Sequence, residues 1–159
     1  MNFRTGFYAG VVLALIWGVY LARLWQAERQ VQLHSAHLLS QIEKRDWKAA
    51  AQFIDAGYQD QWGHDRAALL ERLREVFRAL PKARIESSVV SIQTVNGRGT
   101  WTAKITVQGT GEYADYITSR VNSLETPFVF EWQRGATWPW DWKLITAKNP
   151  GFVVPDYPR

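Results

Sequence analysis

A chain of 159 residues carries material for one domain and little for a second. Nine Trp, six Tyr and seven Phe exclude a disordered tail, and a net charge of +4 is too small an excess for a dedicated nucleic-acid binder. The absence of Cys excludes a disulfide framework, thiolate catalysis and a thiolate-ligated zinc, and leaves the compartment open.

From Gly6 to Ala22 the chain is apolar, with no charge between Arg4 and Arg23. With its neighbours this is roughly 18 residues, or about 27 Å of helix, close to the ~30 Å of a hydrocarbon core. A cleaved signal needs small residues at both −1 and −3 of the cut, and Tyr20 and Trp25 occupy the −3 positions before Ala22 and Ala27. A helix of a water-facing core would carry a polar face, and this stretch has none. The expectation is a retained single-pass transmembrane anchor over residues 1–25, with residues 6–22 in the lipid bilayer. A very short head ahead of the whole domain is the layout of a signal-anchor, which predicts a membrane protein with its domain on the extracytoplasmic side.

Residues 26–148 then read as one domain and 149–159, with three Pro, as a tail that packs along the surface or frays. Gln26 to Lys44 is helical in composition. Asp46 is placed to cap a second helix whose Trp47, Ala50, Ala51, Ile54 and Tyr58 share a face, with Gly57 as its stop. A third helix runs from Asp65 to Pro81 on an apolar stripe that includes Leu70, Leu73 and Phe77. Its Arg72, Arg74 and Arg78 are interleaved with Glu71 and Glu75, which makes them a solvated face and not a nucleic-acid patch.

From Ile85 onward the period becomes two. Ile85–Val95 ends at Asn96-Gly97, a hairpin signal, and the next strand puts Trp101, Ala103, Ile105 and Val107 on one face. The stretch from Gly109 to Thr126 is polar and loop-like. Phe128, Phe130 and Trp132 alternate in a third strand, a turn falls at Gly135, and Trp138–Ala147 forms a fourth that sets Trp138, Trp140 and Trp142 on one face. Helices segregated before strands predict an α+β fold, with helices packed on a curved antiparallel sheet.

The order of these parts carries a resemblance. The Asp46-Trp47 start of a short helix ending near Tyr58, the amphipathic helix over 65–80 and the closing Gly135…Trp142-Lys143-Leu144-Ile145 resemble the nuclear-transport-factor-2-like superfamily, whose cone-shaped fold is shared with ketosteroid isomerase. The resemblance covers roughly residues 28–148 and rests on layout, with no catalytic motif. It implies a pocket between sheet and helices that serves catalysis, binding or dimerisation in different members, and fold alone does not choose among them. The anchored layout also looks like the inner-membrane assembly factors of type IV secretion systems, which are longer.

Isomerase-like chemistry needs a carboxylate base beside an apolar pocket and a phenol or protonated acid to hold an enolate. Asp55, Asp60, Glu131 and Asp141, with Tyr58 or Tyr113, supply the residue types, and none falls in the family's catalytic motif. Asp55 and Asp60 sit where a helix ends and are expected to face solvent, and Glu131 alternates away from Phe130 and Trp132. No catalytic residue is therefore assigned. His34 and His37 share a helix face without a third ligand at metal spacing and read as exposed, so neither metal nor cofactor is expected. Gly109-Thr110-Gly111 lacks the lysine and the strand–loop–helix setting of a phosphate cradle. Tyr58, Trp62, Trp101, Trp132, Trp138 and Trp140 are the expected lining of an apolar cone pocket.

Two functions compete on this reading. The first is a membrane-anchored, non-enzymatic binding or assembly domain whose partner is another protein or a second copy of the chain, and not nucleic acid. The alternative is an enzyme or carrier acting on a small apolar ligand inside the cone.

Overall fold

In the computed structural model, residues 3–24, 26–136, 138 and 140–153 are described; for 3–7, 9 and 21–24 the description is of the backbone alone. Helix α1 (Phe3–Leu24) is followed by α2 (Ala27–Glu43), α3 (Trp47–Phe53) and α4 (Arg66–Ala79). Strands β1 (Arg84–Val95) and β2 (Arg98–Gln108) come next, then α5 (Ala114–Asn122), β3 (Phe128–Arg134) and β4 (Trp142–Lys148). The four strands form one antiparallel sheet in the order β1-β2-β3-β4. Register shifts at Val89/Ser91 and at Glu131/Trp132 mark bulges, which bend a strand and increase its twist.

The anchor expectation is corrected. Among the described residues no helix is long and apolar enough to cross a membrane. The side chains described in α1 cover Tyr8 and Gly10 to Tyr20, roughly 20 Å of rise against a hydrocarbon core of about 30 Å. The readings that hung on the anchor fall with it: the lipid bilayer as a partner of residues 6–22, the single-pass membrane assignment and the extracytoplasmic placement. What stands of the fold expectation is the α+β architecture of helices on a four-stranded antiparallel sheet.

Local chemistry explains most element boundaries. The Asp46 and Asp65 carboxylates accept from the Ala49 and Ala68 amides at 3.0 and 2.8 Å, capping α3 and α4. The β1–β2 turn places Asn96 and Gly97 at φ 51° and 76°, the left-handed pair a two-residue hairpin requires. Arg45 is also left-handed, at φ 59°, where a helix end ordinarily takes Gly. Its guanidinium donates to the Leu80 and Pro81 carbonyls at 2.7 Å each, so the side chain ties the α2–α3 turn to the end of α4.

Helix α2 lies on the inner face of the sheet. Val31, Ser35, Leu38, Leu39 and Ile42 form its buried stripe at helical spacing. Opposite them stand Trp101, Ala103 and Ile105 of β2, Phe130 and Trp132 of β3, and Trp142 and Leu144 of β4. Gly99 fixes how closely the layers meet: a Cβ there would collide with the Val31 side chain and lie 3.2 Å from the Trp142 ring. The α3–α4 layer joins through an edge-to-face pair of Trp47 and Phe77, with ring centroids 6.0 Å apart.

Three segments depart from the sequence expectation. The second helix stops at Phe53, not near Tyr58. Ile54 turns extended, and residues 54–61 run along the free edge of β4, where the Asp55, Gln59 and Gln61 amides donate to the Leu144, Ile145 and Ala147 carbonyls. The loop expected over 109–126 contains α5, packed on β2. The last strand starts at Trp142, and Trp138 and Trp140 lie in the turn before it. The tail is held as far as it is described: Asn149 is fully buried and exchanges hydrogen bonds with Gln61 and Thr126. Residues 154–159 lie outside the described part.

Candidate functional site

The six residues expected to line a cone pocket do not share one. Tyr58, Trp101 and Trp132 are 1%, 1% and 0% exposed, and together with Trp142 they fill the space between α2 and the sheet. Trp62 sits at the junction of loop and tail, where its indole N–H donates to the Phe152 carbonyl at 2.8 Å and its ring meets Phe152 edge-on. Trp138 and Trp140 are on the surface, 55% and 46% exposed, stacked on each other at 5.0 Å.

The filled interior holds an unusual set of polar atoms. Ser35 Oγ and the indole nitrogens of Trp101 and Trp132 are buried without a hydrogen-bond partner, and Tyr58 Oη is buried beside Asp60. Burial and the neighbouring Asp60 charge hold the Tyr58 phenol in its protonated form far above the usual range.

Asp60 corrects a second expectation, because its carboxylate is buried and not solvent-facing. One oxygen accepts from the Trp62 and His64 amides at 2.9 and 2.8 Å, and the other from His64 Nδ1 at 3.0 Å. Held by these three bonds, the carboxylate organises the 60–64 turn, with the Tyr58 phenol beside it. Asp55 likewise closes its own turn on the Gly57 amide. Glu131 pairs with Lys148 at 2.6 Å, and Asp141 pairs with Lys143 at 3.3 Å.

His34 is half-buried, contrary to the exposed position expected for it. Its Nδ1–H donates to the Gln30 carbonyl at 2.8 Å, and its ring packs edge-on against Phe53 and Trp132. Burial lowers its pKa below the ordinary 6.5, so the ring is neutral in the fold. Among the described residues no group of three or more His, Asp or Glu is placed to hold a metal ion.

Among the described residues, open clefts include two at the ends of the sheet and helices. One of about 360 Å³ lies between α3 and β4, beside Asp55, Arg66 and Lys143, and both of its cations are engaged by the backbone carbonyls of Ile54 and Gln52. The other, about 490 Å³, opens at the end of the sheet where the β1–β2 hairpin meets the β3–β4 turn. Arg98, Arg134, Asn96, Gln133 and Trp138 are on its walls. The two arginines were not legible as site residues, since strand-end cations are common and only the folded chain brings both to one cleft.

The sequence matches no family model and no curated protein. Solved structures do match its shape. A conserved protein from Planctomyces limnophilus has a TM-score of 0.59 at 8% identity, over 76% of this chain and 91% of its own. A nuclear-transport-factor-2-like protein from Cytophaga hutchinsonii has a TM-score of 0.56 at 13% identity, over 77% of this chain and 96% of its own. Bd1075 of Bdellovibrio bacteriovorus has a TM-score of 0.58 at 11% identity, and this chain spans 41% of its length. At these identities the likeness establishes the fold, that of the nuclear-transport-factor-2-like proteins, and carries no activity with it.

Proposed function

We propose that this chain is a non-enzymatic binding domain whose partner is another protein, met by the surface around Trp138 and Trp140. The observation that carries this reading is the interior, where Trp101, Trp132 and Trp142 occupy the place an enclosed ligand would need. Catalysis inside the cone would need an acid or base facing free space, and Asp60 is consumed by its own turn. Half-exposed tryptophans, in contrast, are a costly surface to leave in water and are enriched in protein interfaces.

Two measurements separate this from the carrier reading. A photo-cross-linking phenylalanine at position 140, expressed in the host cell, should trap a discrete protein adduct, while the same group at Lys104 on the sheet's outer face should not. Titration with an apolar fluorescent probe such as anilinonaphthalene sulfonate should give no saturable uptake. Saturable probe binding that Trp101→Ala alters, with no adduct at position 140, would favour the carrier instead.

A further inference from the structure

Several of the described cationic side chains are already engaged. Arg72, Arg74, Arg84 and Lys148 pair with Glu75, Glu71, Glu86 and Glu131. Arg45 and Arg120 donate to backbone carbonyls. Lys44, Lys48, Arg78, Lys82 and Lys104 are exposed surface cations, whereas Arg98 and Arg134 line one cleft. Among the described residues neither guanidinium has a carboxylate or a hydrogen-bond acceptor, and both line the cleft of about 490 Å³ at the sheet end. Both reach the cleft from neighbouring strand ends. Arg98 opens β2 directly opposite Gln133, and Arg134, the next residue of β3, bonds through its amide to the Gly97 carbonyl at 2.8 Å. Asp141, which lies against Gly135 at the cleft's margin, is already paired with Lys143. The stacked indoles of Trp138 and Trp140 stand beside these charges.

We infer that this cleft docks an acidic peptide segment of the partner, with carboxylates held by Arg98 and Arg134 and an aromatic or proline side chain laid on Trp138 and Trp140. The inference rests on the reading that the chain binds another protein, and adds the chemistry of what it binds. A guanidinium presents a planar fork that matches a carboxylate with two parallel hydrogen bonds. Asn96 and Gln133 supply further side-chain amides on the same walls. The cleft is too open to bury most of a small metabolite, which is how such ligands gain affinity. A nucleic acid would need a row of phosphate-binding cations, and two arginines with neutralised neighbours do not make one. A short acidic segment needs only this pair of forks and an apolar shelf.

The test uses the full chain and three fluorescent probes: a dodecapeptide of Glu with Phe at every third position, the same peptide with Lys for Glu, and a dodecamer of thymidylate. Fluorescence anisotropy should show saturable binding of the Glu peptide alone, weakening with added salt. The double variant Arg98→Gln/Arg134→Gln should lose about tenfold or more in affinity, and Trp138→Ala a smaller factor. Arg72→Gln/Arg74→Gln, on the outer face of α4, should leave it unchanged. Unaltered thermal melting shows that each variant is folded. Equal binding of the Lys peptide, preference for thymidylate, or full affinity in the Arg98/Arg134 variant would overturn the proposal. The cross-link at position 140 keeps the two readings apart. An adduct that persists in the Arg98/Arg134 variant leaves protein binding standing and removes acid recognition, and loss of any adduct in the unaltered chain removes both.

Discussion

Gly99 is the position where the filled cone can be probed with one methyl group. A Cβ at this residue would run into Val31, which is fully buried, and would touch Trp142 at 3.2 Å. Gly99→Ala should therefore overpack the seam between α2 and β2 at a cost of about 1–3 kcal/mol. The reduced freedom of the unfolded chain returns about 0.4–1 kcal/mol, for a net loss of about 1–2. Val31→Ala removes two buried methyl-sized groups, about 1.6 kcal/mol by transfer, and leaves a cavity that raises the loss to about 2–3. In the double variant the methyl group introduced at position 99 occupies the volume that the Val31 side chain vacates. Its loss should fall short of the sum of the singles by about 1–2 kcal/mol, a coupling readable by urea unfolding of all four proteins. Additivity within about 0.5 kcal/mol would mean that α2 does not sit on Gly99, and the reasoning about a closed interior would fail with it.

Three other outcomes follow from the structure. Asp46→Ala should cost about 1 kcal/mol in denaturant unfolding through loss of the bond to the Ala49 amide, and Asp46→Asn should restore most of it. Tyr58→Phe removes a buried hydroxyl beside the Asp60 carboxylate, so stability should fall by about 1–2 kcal/mol; an unchanged or higher stability would show that the phenol makes no bond there. His34 has a lowered pKa, so the unfolded chain binds its proton more readily than the fold does. Its contribution is present at neutral pH and lost as pH falls through and below 6.5. Unfolding free energies measured across that range should fall on acidification more steeply in the unaltered protein than in His34→Gln, and equal slopes would contradict the assignment.

Much of this architecture was legible in the sequence because its signals are local. The Asp46 and Asp65 caps, the Asn96-Gly97 turn and the alternation of Trp101, Ala103 and Ile105 each reflect a constraint that acts within a few residues. The departures occur where two periods fit the same letters. Ile54 and Tyr58 continue a helical face on paper, yet Ile54, Tyr58 and Asp60 also suit a strand-like path, and the free edge of β4 selects that path. Helix α5 was hidden by its polar, β-branched composition, and its apolar spacing Ala114, Ile117, Val121 was the available clue. At the N-terminus the apolar composition of residues 6–22 suggested a bilayer length that the described part of α1 does not support. Trp138, Trp140 and Trp142 alternate like a strand, but the amides of Gly135 and Asp141 bond within the turn, to the Asp141 and Trp138 carbonyls. Only Trp142 therefore reaches the core. The site followed the same rule. Single tryptophans could be picked out from composition, while the meeting of Arg98 and Arg134 at one cleft depends on how two turns come together at the sheet end, which the sequence does not print.

Exchange of the indole N–H protons, followed by nitrogen-15 NMR, reads the central division directly. The Trp101 and Trp132 indoles should exchange only on opening of the whole domain, and those of Trp138 and Trp140 within the dead time. Rapid exchange at Trp101 or Trp132 in the folded protein would reveal a hollow, watered cone and contradict the account of a solid scaffold that works through its rim.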